Sequence, residues 1–493
     1  MPLPLTRATL PGGRRLGAPT PPTPGIVHLG LGQFHRAHAA VYTALAQATA
    51  PGDWGILGVT HTSRAVVEHL ARQDYLYGVL ELAPGTEEVG VVDVHRGALV
   101  GAEQPDEVAR AIAAPATRLV TLTVTEAGYH TDPAGRLDLA TPEIAADLAR
   151  PDAPTSPLGL LAAGLRRRFQ AGAAPISVLS CDNMLQAGDT TRARVEQYLA
   201  AAGAADDLLA WLGTGVAFPN AMVDRIVPST TEATRAAVER ALGVRDAVPV
   251  PAEKFTMWVM EDTFTAGRPA WESAGAIFTD EVRRYELVKL RLLNGCYSLL
   301  STVGVLAGKA TNPEAIGTDY IAACVRAAQE DDYLPTIELP HGFDARAYIA
   351  ELFARWANTA LGDATYRVAT DGSTKLAQRI VLPAVYALER GRMPQQLALT
   401  AAAWICVTCP PAGFDPGPLA ALVAEPKAAG MAAAVALASG VRDHVARLLR
   451  GGFLPDALTR WDSFDDRVAD YAEIIVRHGV EAAAREALGR ARS

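Results

Sequence analysis

The N-terminal part of the chain alternates short apolar runs with amphipathic, alanine-rich segments. The apolar runs are rich in β-branched residues, are bounded by turn residues and fall at 26–29, 54–60, 118–129 and 175–183. Helical patterns lie between them, at 63–73 and 105–114. Strands that alternate with helices predict an α/β fold with a parallel, doubly wound sheet that binds ligands at the carboxyl ends of its strands.

From about residue 283 the pattern becomes mainly helical. Periodic segments such as ELVKLRLLN, IAACVRAAQ and YIAELFARWAN are followed by alanine-rich blocks near 398–407 and 429–449. A chain of 493 residues is too long for one ordinary hydrophobic core. The sequence therefore predicts a Pro/Gly-rich lead-in over 1–24, an α/β domain over 25–282 and a mainly α-helical domain over 283–493.

One helical segment of the second domain, KLRLLNGCYSLLS (289–301), mixes polar groups into a leucine-rich face. On an α-helical wheel with Lys289 at zero, Glu286 lies at about 60°, Tyr297 at about 80° and Asn294 at about 140°. Two interpretations fit this arc. The polar tips either snorkel to solvent at a helix end, or they form a functional face.

The stretch GIVHLGLGQFHRAH (25–38) places Gly30 and Gly32 between an apolar strand and the start of a helix. Glycine lets the backbone approach a pyrophosphate, and the helix N-terminus supplies free N–H groups. His35 stands where the third glycine of the dinucleotide fingerprint would be, so a plain strand–turn–helix is the alternative. The second strand is followed by Thr-His-Thr-Ser-Arg rather than an acid. Arg64 would suit a 2′-phosphate, so the choice between NAD and NADP stays open.

Three further polar stretches are candidates for ligand binding. SCDN (180–183) and FPNAMVDRIVP (218–228) follow apolar runs, and loops after parallel strands line the ligand crevice, although turn capping is the alternative for each. In RVATDGSTKLAQR (367–379), Asp371 and Ser373 are predicted to cap a helix that begins near Thr374. Lys375 would then lie against the positive end of the helix dipole, compensated by a ligand, an acidic neighbour or solvent.

Composition excludes several classes of function. The net charge of −9 leaves no basic surplus for a nucleic-acid partner. The sequence contains no run of 18 or more uncharged apolar residues, so no membrane span is predicted. The N-terminus lacks an apolar signal core, so a cytoplasmic protein is expected. The five cysteines show no framework except CVTC (406–409), which has no histidine nearby, so no metal site is expected.

Taken in order, the motifs resemble those of the polyol-specific long-chain dehydrogenase/reductase family. They are GIVHLGLGQFHRAH, TVTEAGY, SCDN, FPNAMVDR, WE followed by YELVKLRLLNG, and DGSTK, spanning residues from about 25 to 380. This family includes mannitol 2-dehydrogenase and fructuronate reductase. The resemblance implies a Rossmann-like dinucleotide-binding domain over 25–282 and a substrate-binding and catalytic domain over 283–493. It also implies zinc-independent, NAD(P)-dependent hydride transfer at a secondary alcohol of an open-chain polyol or sugar acid, by a monomer.

The resemblance also implies catalytic roles for four residues. Lys289 matches the catalytic lysine, whose pKa is lowered in an apolar pocket near a positively charged nicotinamide, so that it takes the alcohol proton near neutral pH. Asn183 and Asn294 match the two amides that stabilise the alkoxide. Glu286 matches a glutamate of the proton path.

Further positions match contacts to substrate and cofactor. The matched substrate-binding positions are Val223, Asp224, Tyr297, Arg367 and Lys375. The predicted cofactor-binding residues are Gly30, Gly32, Gln33, Phe34, Arg64 and Glu126. Arg367, Lys375 and Arg379 together favour the sugar-acid branch, if they lie near a substrate carboxylate.

Tyr297 departs from the family pattern. Relatives carry a histidine at this position, which hydrogen-bonds the substrate and orients the lysine. A phenol still donates and accepts a hydrogen bond, but it is bulkier and neutral. The alternative hypothesis is therefore a weakly active or non-catalytic paralogue that binds nucleotide or sugar. A structural protein on a nucleotide-binding fold is disfavoured, because the lysine and both asparagines remain.

Overall fold

The computed structural model describes residues 2–19, 23–132, 135–172 and 174–491. They form two compact units, residues 1–283 and 284–493. Among the helices of these residues, none combines the length and apolar character that crossing a membrane requires.

The strands are, in chain order, β1 (Pro24–Leu29), β2 (Gly55–Thr60), β3 (Tyr77–Ala83), β4 (Thr86–Val92), β5 (His95–Val100), β6 (Leu119–Leu122), β7 (Ile176–Ser180), β8 (Val216–Ala217), β9 (Ala221–Asp224), β10 (Val250–Glu253), β11 (Met257–Met260) and β12 (Ile277–Phe278). The α-helices that precede residue 282 are α1 (Gln33–Ala37), α2 (Ala39–Thr49), α3 (Arg64–Arg72), α4 (Pro105–Ala113), α5 (Pro142–Ala149), α6 (Pro157–Gln170), α7 (Ala187–Ala201), α8 (Asp206–Gly215) and α9 (Glu232–Leu242).

The first unit is built around a six-stranded, all-parallel sheet. Its strand order is β5-β2-β1-β6-β7-β8. The chain therefore winds outward from β1 in both directions, and the switch point of the topology falls between β1 and β6. The predicted doubly wound parallel sheet is confirmed.

Burial on both faces explains why β1 reads as a continuous apolar run. Ile26 packs into the hydrophobic cluster on one face, and Val27 and Leu29 pack into the cluster on the other. A central parallel strand covered on both sides has no solvent face on which to place polar residues. His28, fully buried on this strand, is the exception.

Two sequence-based expectations about strands were wrong in detail. The apolar run at 118–129 is a strand only over β6, because Thr125 takes a positive φ of 65° and residues Glu126–Tyr129 form a 3₁₀ turn. The stretch 218–228 is a loop after a parallel strand only at its start, where residues 218–220 follow β8. It contains β9, which pairs antiparallel with β11 in a separate sheet of order β12-β11-β9. A third sheet has the order β10-β3-β4.

The segment before β1 packs onto the first unit. Leu5 is fully buried, and its N–H donates to the carbonyl of Arg245 at 2.9 Å. Leu16 donates in the same way to Val91 at 2.8 Å. Backbone bonds of this kind tie the proline- and glycine-rich sequence down without regular secondary structure.

The second unit is helical, as predicted. Its helices, with α10 beginning just before the boundary, are α10 (Val282–Val288), α11 (Cys296–Leu306), α12 (Asn312–Ile316), α13 (Asp319–Ala327), α14 (Ala345–Trp356), α15 (Thr365–Ala369), α16 (Gly372–Arg379), α17 (Val381–Leu388), α18 (Gln395–Thr408), α19 (Ala428–Val435), α20 (Val441–Arg450), α21 (Asp462–His478) and α22 (Val480–Ala491). Helix α18 is buried from Gln396 to Val407 and packs against α11, α21 and α22. A helix that is apolar all round is typical of such a central position.

The α-helical wheel drawn for residues 289–301 is wrong for its first half. Residues Lys289–Gly295 form a π-helix between α10 and α11, and a second π-helix spans Ala328–Tyr333 after α13. In a π-helix each N–H bonds to the carbonyl five residues back, so the turn is wider. Asn294 follows Lys289 by one such interval and lies roughly 50° from it rather than about 140°. The apolar pattern alone could not distinguish these two helix types.

Candidate active-site residues

A pocket of about 510 Å³ opens at the carboxyl ends of β1, β2 and β6. It is lined by Gly30 after β1, by Thr60 and His61 at the end of β2, and by the loop from Thr123 to Gly128 after β6. This volume is in the range of small-molecule sites, and the position is that of ligands in doubly wound sheets.

Gly30 is required by its surroundings. Its φ is +102°, and a Cβ at this position would overlap the carbonyl oxygen of Thr123. The chain then turns, with Gly32 donating to the Gly30 carbonyl at 2.6 Å. In the part of the chain that the structure describes, Gly30 is the one predicted cofactor-binding residue that lines this pocket.

The helix that follows the glycine turn is short. Gln33 and Phe34 begin α1, which has five residues and ends at Ala37. The Phe34 ring stacks on that of His38 with centroids 5.0 Å apart. Gln33 and Phe34 are partly exposed, and Gly32 is exposed.

Three buried histidines support the glycine turn. His28 Nε2 lies 3.0 Å from the Gly30 carbonyl and therefore donates to it, while Nδ1 accepts from Thr121 at 2.8 Å. The His35 ring stacks on His28 with centroids 3.3 Å apart, and His35 contacts His95 through Nε2 at 3.1 Å. Burial lowers the pKa of His28 to about 3 and holds the pKa values of His35 and His95 well below their usual range. His35, which stands where the fingerprint has glycine, thus packs in the protein interior against His28 and His95.

Asp182 fastens the loop after β6. It follows β7, is buried, and accepts the N–H groups of Thr125 at 2.8 Å and Val124 at 3.2 Å. The Tyr129 hydroxyl donates to Oδ2 of the same carboxylate at 2.7 Å. Burial raises the pKa of Asp182, and these donors oppose the rise. The neighbouring Asn183, predicted for catalysis, is exposed at the end of β7.

A carboxylate that the sequence did not reveal as a candidate enters the pocket from α5. Glu143 lines the pocket and lies 3.1 Å from His61 Nε2 and 3.4 Å from His130 Nε2. Its position in the chain, far from the end of β2, gave no signal of this role. Arg64, predicted for the cofactor, forms an exposed ion pair with Glu103 at 2.6 Å. Glu126 is exposed in the loop after β6.

In the second unit, the predicted general base and its partners lie on one continuous helical segment. Glu286, in α10, is 3% exposed, and Lys289, which begins the π-helix, is 8% exposed. Asn294 is partly exposed near the end of the π-helix. Keeping a lysine and a glutamate this deeply buried is costly unless they are paired or functional.

Tyr297 is held by a neighbouring carboxylate. Its hydroxyl donates to Asp363, which also accepts the Asn312 amide at 3.2 Å. The ring packs against Trp356 with centroids 5.9 Å apart. Because the phenol has one proton, a Tyr297 bound in this way can only accept a hydrogen bond from another group.

The predicted basic cluster at 367–379 is used largely by the protein itself. Lys375 Nζ donates to the carbonyls of Val368 at 3.2 Å and Thr370 at 2.6 Å. Arg367 is exposed. The helix here begins at Gly372, earlier than predicted, and Asp371 sits at its N-cap with a φ of +58° but no capping bond.

Ser373 and the remaining substrate candidates also have defined places. Ser373 caps nothing and donates to Glu425 at 2.5 Å. Val223 and Asp224 are buried in β9, paired with Trp258 and Met257 of β11.

The cysteines remain unpaired thiols. Cys406 and Cys409 are buried at the end of α18. Within the described ranges, no group of three or more histidine, cysteine or acidic side chains is arranged to hold a metal ion.

The sheet order, the glycine turn and the pocket define a Rossmann-type dinucleotide-binding unit. The family model for the mannitol dehydrogenase Rossmann domain matches residues 24–273, and that for the mannitol dehydrogenase C-terminal domain matches residues 281–409. The chain belongs to the mannitol dehydrogenase family, so it is an oxidoreductase of the class that acts on CH–OH groups.

Similar proteins of known identity support this placement. D-mannonate oxidoreductase of Escherichia coli K12 is 38% identical over 78% of this chain and 79% of its own. Mannitol 2-dehydrogenase of Cereibacter sphaeroides is 38% identical over 78% and 81%. The structure of Pseudomonas fluorescens mannitol 2-dehydrogenase in ternary complex with NAD and D-mannitol matches with a TM-score of 0.88 and 33% identity. That match covers 99% of this chain and 100% of the other.

Proposed function

We propose that this protein transfers hydride between NAD and a secondary alcohol of an open-chain polyol or sugar acid, without zinc, with Lys289 as the general base. Family membership supplies the reaction class, and the burial of Lys289 on a π-helix is the observation that carries the assignment of the base. A buried lysine exchanges its proton more readily near neutral pH than an exposed one. A proton-transfer step of this kind contributes about 10²- to 10⁴-fold to rate.

The other roles follow from the chemistry of each side chain. The Asn183 and Asn294 amides donate hydrogen bonds to the alcohol oxygen as negative charge develops there. Glu286, one α-turn before Lys289, passes the proton on to water. Val223, Asp224, Arg367 and Lys375 contact the substrate in this proposal, and Tyr297 accepts from a substrate hydroxyl while Asp363 holds its proton.

The residues of the first unit fit a dinucleotide. The 510 Å³ pocket gives a nucleotide room beside Gly30, where no side chain intervenes. When bound, the nicotinamide supplies the hydride acceptor. We assign Gly30, Gly32, Gln33, Phe34 and Glu126 to the cofactor.

NAD is the proposed cofactor, and NADP is the alternative. Glu143 is a carboxylate in the pocket beside the end of β2, where acids accept from the adenosine ribose hydroxyls. Arg64 would favour a 2′-phosphate only after releasing Glu103. Direct titration of NAD and NADP separates the two. Glu143→Gln should weaken NAD binding more than NADP binding, whereas Arg64→Ala should do the reverse if NADP is the natural cofactor.

The function is tested by following reduced nicotinamide absorbance with purified protein. NADH and NADPH are each offered with fructose, fructuronate, tagaturonate and xylulose. Oxidation with one substrate identifies the branch, with fructuronate expected if the basic residues at 367–379 bind a carboxylate. If none of the substrates causes oxidation of NADH or NADPH, in a protein that still binds nucleotide, the proposal is contradicted. That result supports the alternative of a weakly active paralogue marked by Tyr297.

A cytoplasmic, monomeric enzyme completes the proposal. It rests on the acidic composition and on the resemblance to long-chain members of the family. Sedimentation of the purified full chain should give a mass near 52.0 kDa. A stable dimer would contradict this part alone.

A further inference from the structure

The two π-helices of the second unit lie against each other. One spans Lys289–Gly295 and the other spans Ala328–Tyr333. A π-turn is rare, is less regular than an α-turn, and tends to occur at functional sites. The wider turn disturbs the normal pairing of backbone groups, so side chains from elsewhere are needed to satisfy what it frees.

Gln329, in the second π-helix, supplies one such side chain. It is fully buried, and its Nε2 donates to the carbonyl of Leu292 at 3.1 Å. Leu292 lies between Lys289 and Asn294. The Gln329 Oε1 is buried without a hydrogen-bond partner. Leaving a buried acceptor unpaired is destabilising, so leucine at this position would suit the interior better than glutamine. The amide is explained by the carbonyl that it holds.

Arg379, at the end of α16, supplies the second. Its Nη1 donates to the carbonyl of Asn294 at 3.0 Å and to the Ser298 hydroxyl at 2.9 Å. The guanidinium thus bridges the π-helix and the first turn of α11. The sequence grouped Arg379 with cations for a substrate carboxylate, and the structure gives it this backbone role.

Gly295 lets the second π-helix approach closely. A Cβ on Gly295 would lie 2.5 Å from Cζ of Tyr333 and would overlap its hydroxyl. Tyr333 is fully buried. Gln329 and Tyr333 therefore both contact the first π-helix, at Leu292 and Gly295. Arg379 binds the carbonyl of Asn294 near the end of the same π-helix.

We propose that Gln329 and Arg379 are positioning residues that keep Lys289–Gly295 in the π register, so that Lys289 and Asn294 face the same substrate oxygen. The inference rests on the proposed function. An α-register would rotate Asn294 away from Lys289, from roughly 50° to about 140°. A misplacement of about 1 Å in a catalytic group can lower a rate by 10²-fold.

The test compares two identical substitutions of buried glutamines. Gln329→Leu removes the donor to Leu292 and the unpaired oxygen together. It should lower kcat by about 10- to 100-fold and shift the pH midpoint of kcat, while nucleotide affinity holds. The melting temperature should change little, because the lost bond to Leu292 and the removed unpaired oxygen act in opposite directions. Gln396→Leu is the matched control. Its side-chain amide is also buried and has no partner, and its one bond to a π-helix, from the backbone N–H to Asp332 at 2.8 Å, is kept by the substitution. It should raise the melting temperature and leave kcat unchanged.

A second pair guards against misfolding. Arg379→Lys keeps one donor for the Asn294 carbonyl and should retain more of kcat than Arg379→Met, at similar KM. A Gln329→Leu protein with wild-type kcat and pH profile overturns the inference. So does a loss of activity that merely follows the fraction of unfolded protein. If Lys289→Ala stays active, the proposed function fails instead. If Lys289→Ala is inactive while Gln329→Leu is fully active, the inference fails alone.

Discussion

Asp182 accepts the backbone N–H of Thr125 at 2.8 Å and thereby holds a strained loop at the pocket beside Gly30. Thr125 has φ 65° and ψ 164°, a region that residues other than glycine rarely occupy and that costs about 1–3 kcal/mol. The strain persists because Asp182 binds Thr125, Val124 and Tyr129 at once.

Replacing Asp182 should therefore release the loop. Asp182→Ala leaves the N–H groups of Thr125 and Val124 without this acceptor, while the Tyr129 hydroxyl keeps Ser180 as a partner. The substitution should lower the free energy of unfolding by about 2–4 kcal/mol, with weaker NADH binding. Asp182→Asn keeps one acceptor and should cost less. Chemical denaturation and fluorescence titration with NADH measure both effects. Asp152→Ala, an exposed acid, is the control. Unchanged NADH affinity in a folded Asp182→Ala protein would contradict this role of the loop.

The three buried histidines predict acid sensitivity. Burial lowers the pKa of His28 from 6.5 to about 3 and lowers those of His35 and His95 as well. Below pH 6.5 these histidines bind protons in the unfolded chain but stay neutral in the folded chain. Their contribution to the free energy of unfolding is therefore fully present above pH 6.5 and is lost as the pH falls towards 3. The loss is about 1.4 kcal/mol per pH unit for each histidine.

Denaturation at several pH values tests this dependence. His35→Asn should make the fall in stability between pH 6.5 and pH 5 shallower than in the wild type, by roughly one proton's share. If the free energy of unfolding fell equally steeply with pH in wild type and His35→Asn, the pKa of His35 would not be lowered by folding.

The bond between Tyr297 and Asp363 predicts how the departure from the family pattern affects activity. Asp363→Asn keeps the size of the side chain but weakens its hold on the phenol, so the Tyr297 proton becomes free to meet a substrate hydroxyl. We expect an altered KM across the panel of fructose, fructuronate, tagaturonate and xylulose, with kcat changed by less than about tenfold. Tyr297→His should move the preference towards that of ordinary family members. A panel that neither variant changes would exclude Tyr297 from substrate contact.

Much of the fold could be predicted because local patterns coincide with tertiary needs. β1, β2 and β7 are apolar because both faces of the sheet are covered, and α3 and α4 show their amphipathic spacing. The family could be predicted from ordered motifs.

Long-range contacts account for most of what the sequence concealed. The π register depends on Gln329 and Arg379, which are 37 and 85 residues away from the carbonyls that they hold. Glu143 reaches the pocket only because α5 packs beside it. The end of β6 is set by the bond from Asp182 to Thr125, which no local pattern encodes.

The central claim is that Lys289 takes the alcohol proton, and the most direct test is the pH dependence of kcat for wild type and Lys289→Ala. With the substrate and cofactor identified by the panel, the wild-type rate of alcohol oxidation should rise through one ionisation. Lys289→Ala should lose that step and about 10²- to 10⁴-fold in kcat, while still binding NADH. A Lys289→Ala enzyme with a near-normal rate and the same pH profile would contradict the account.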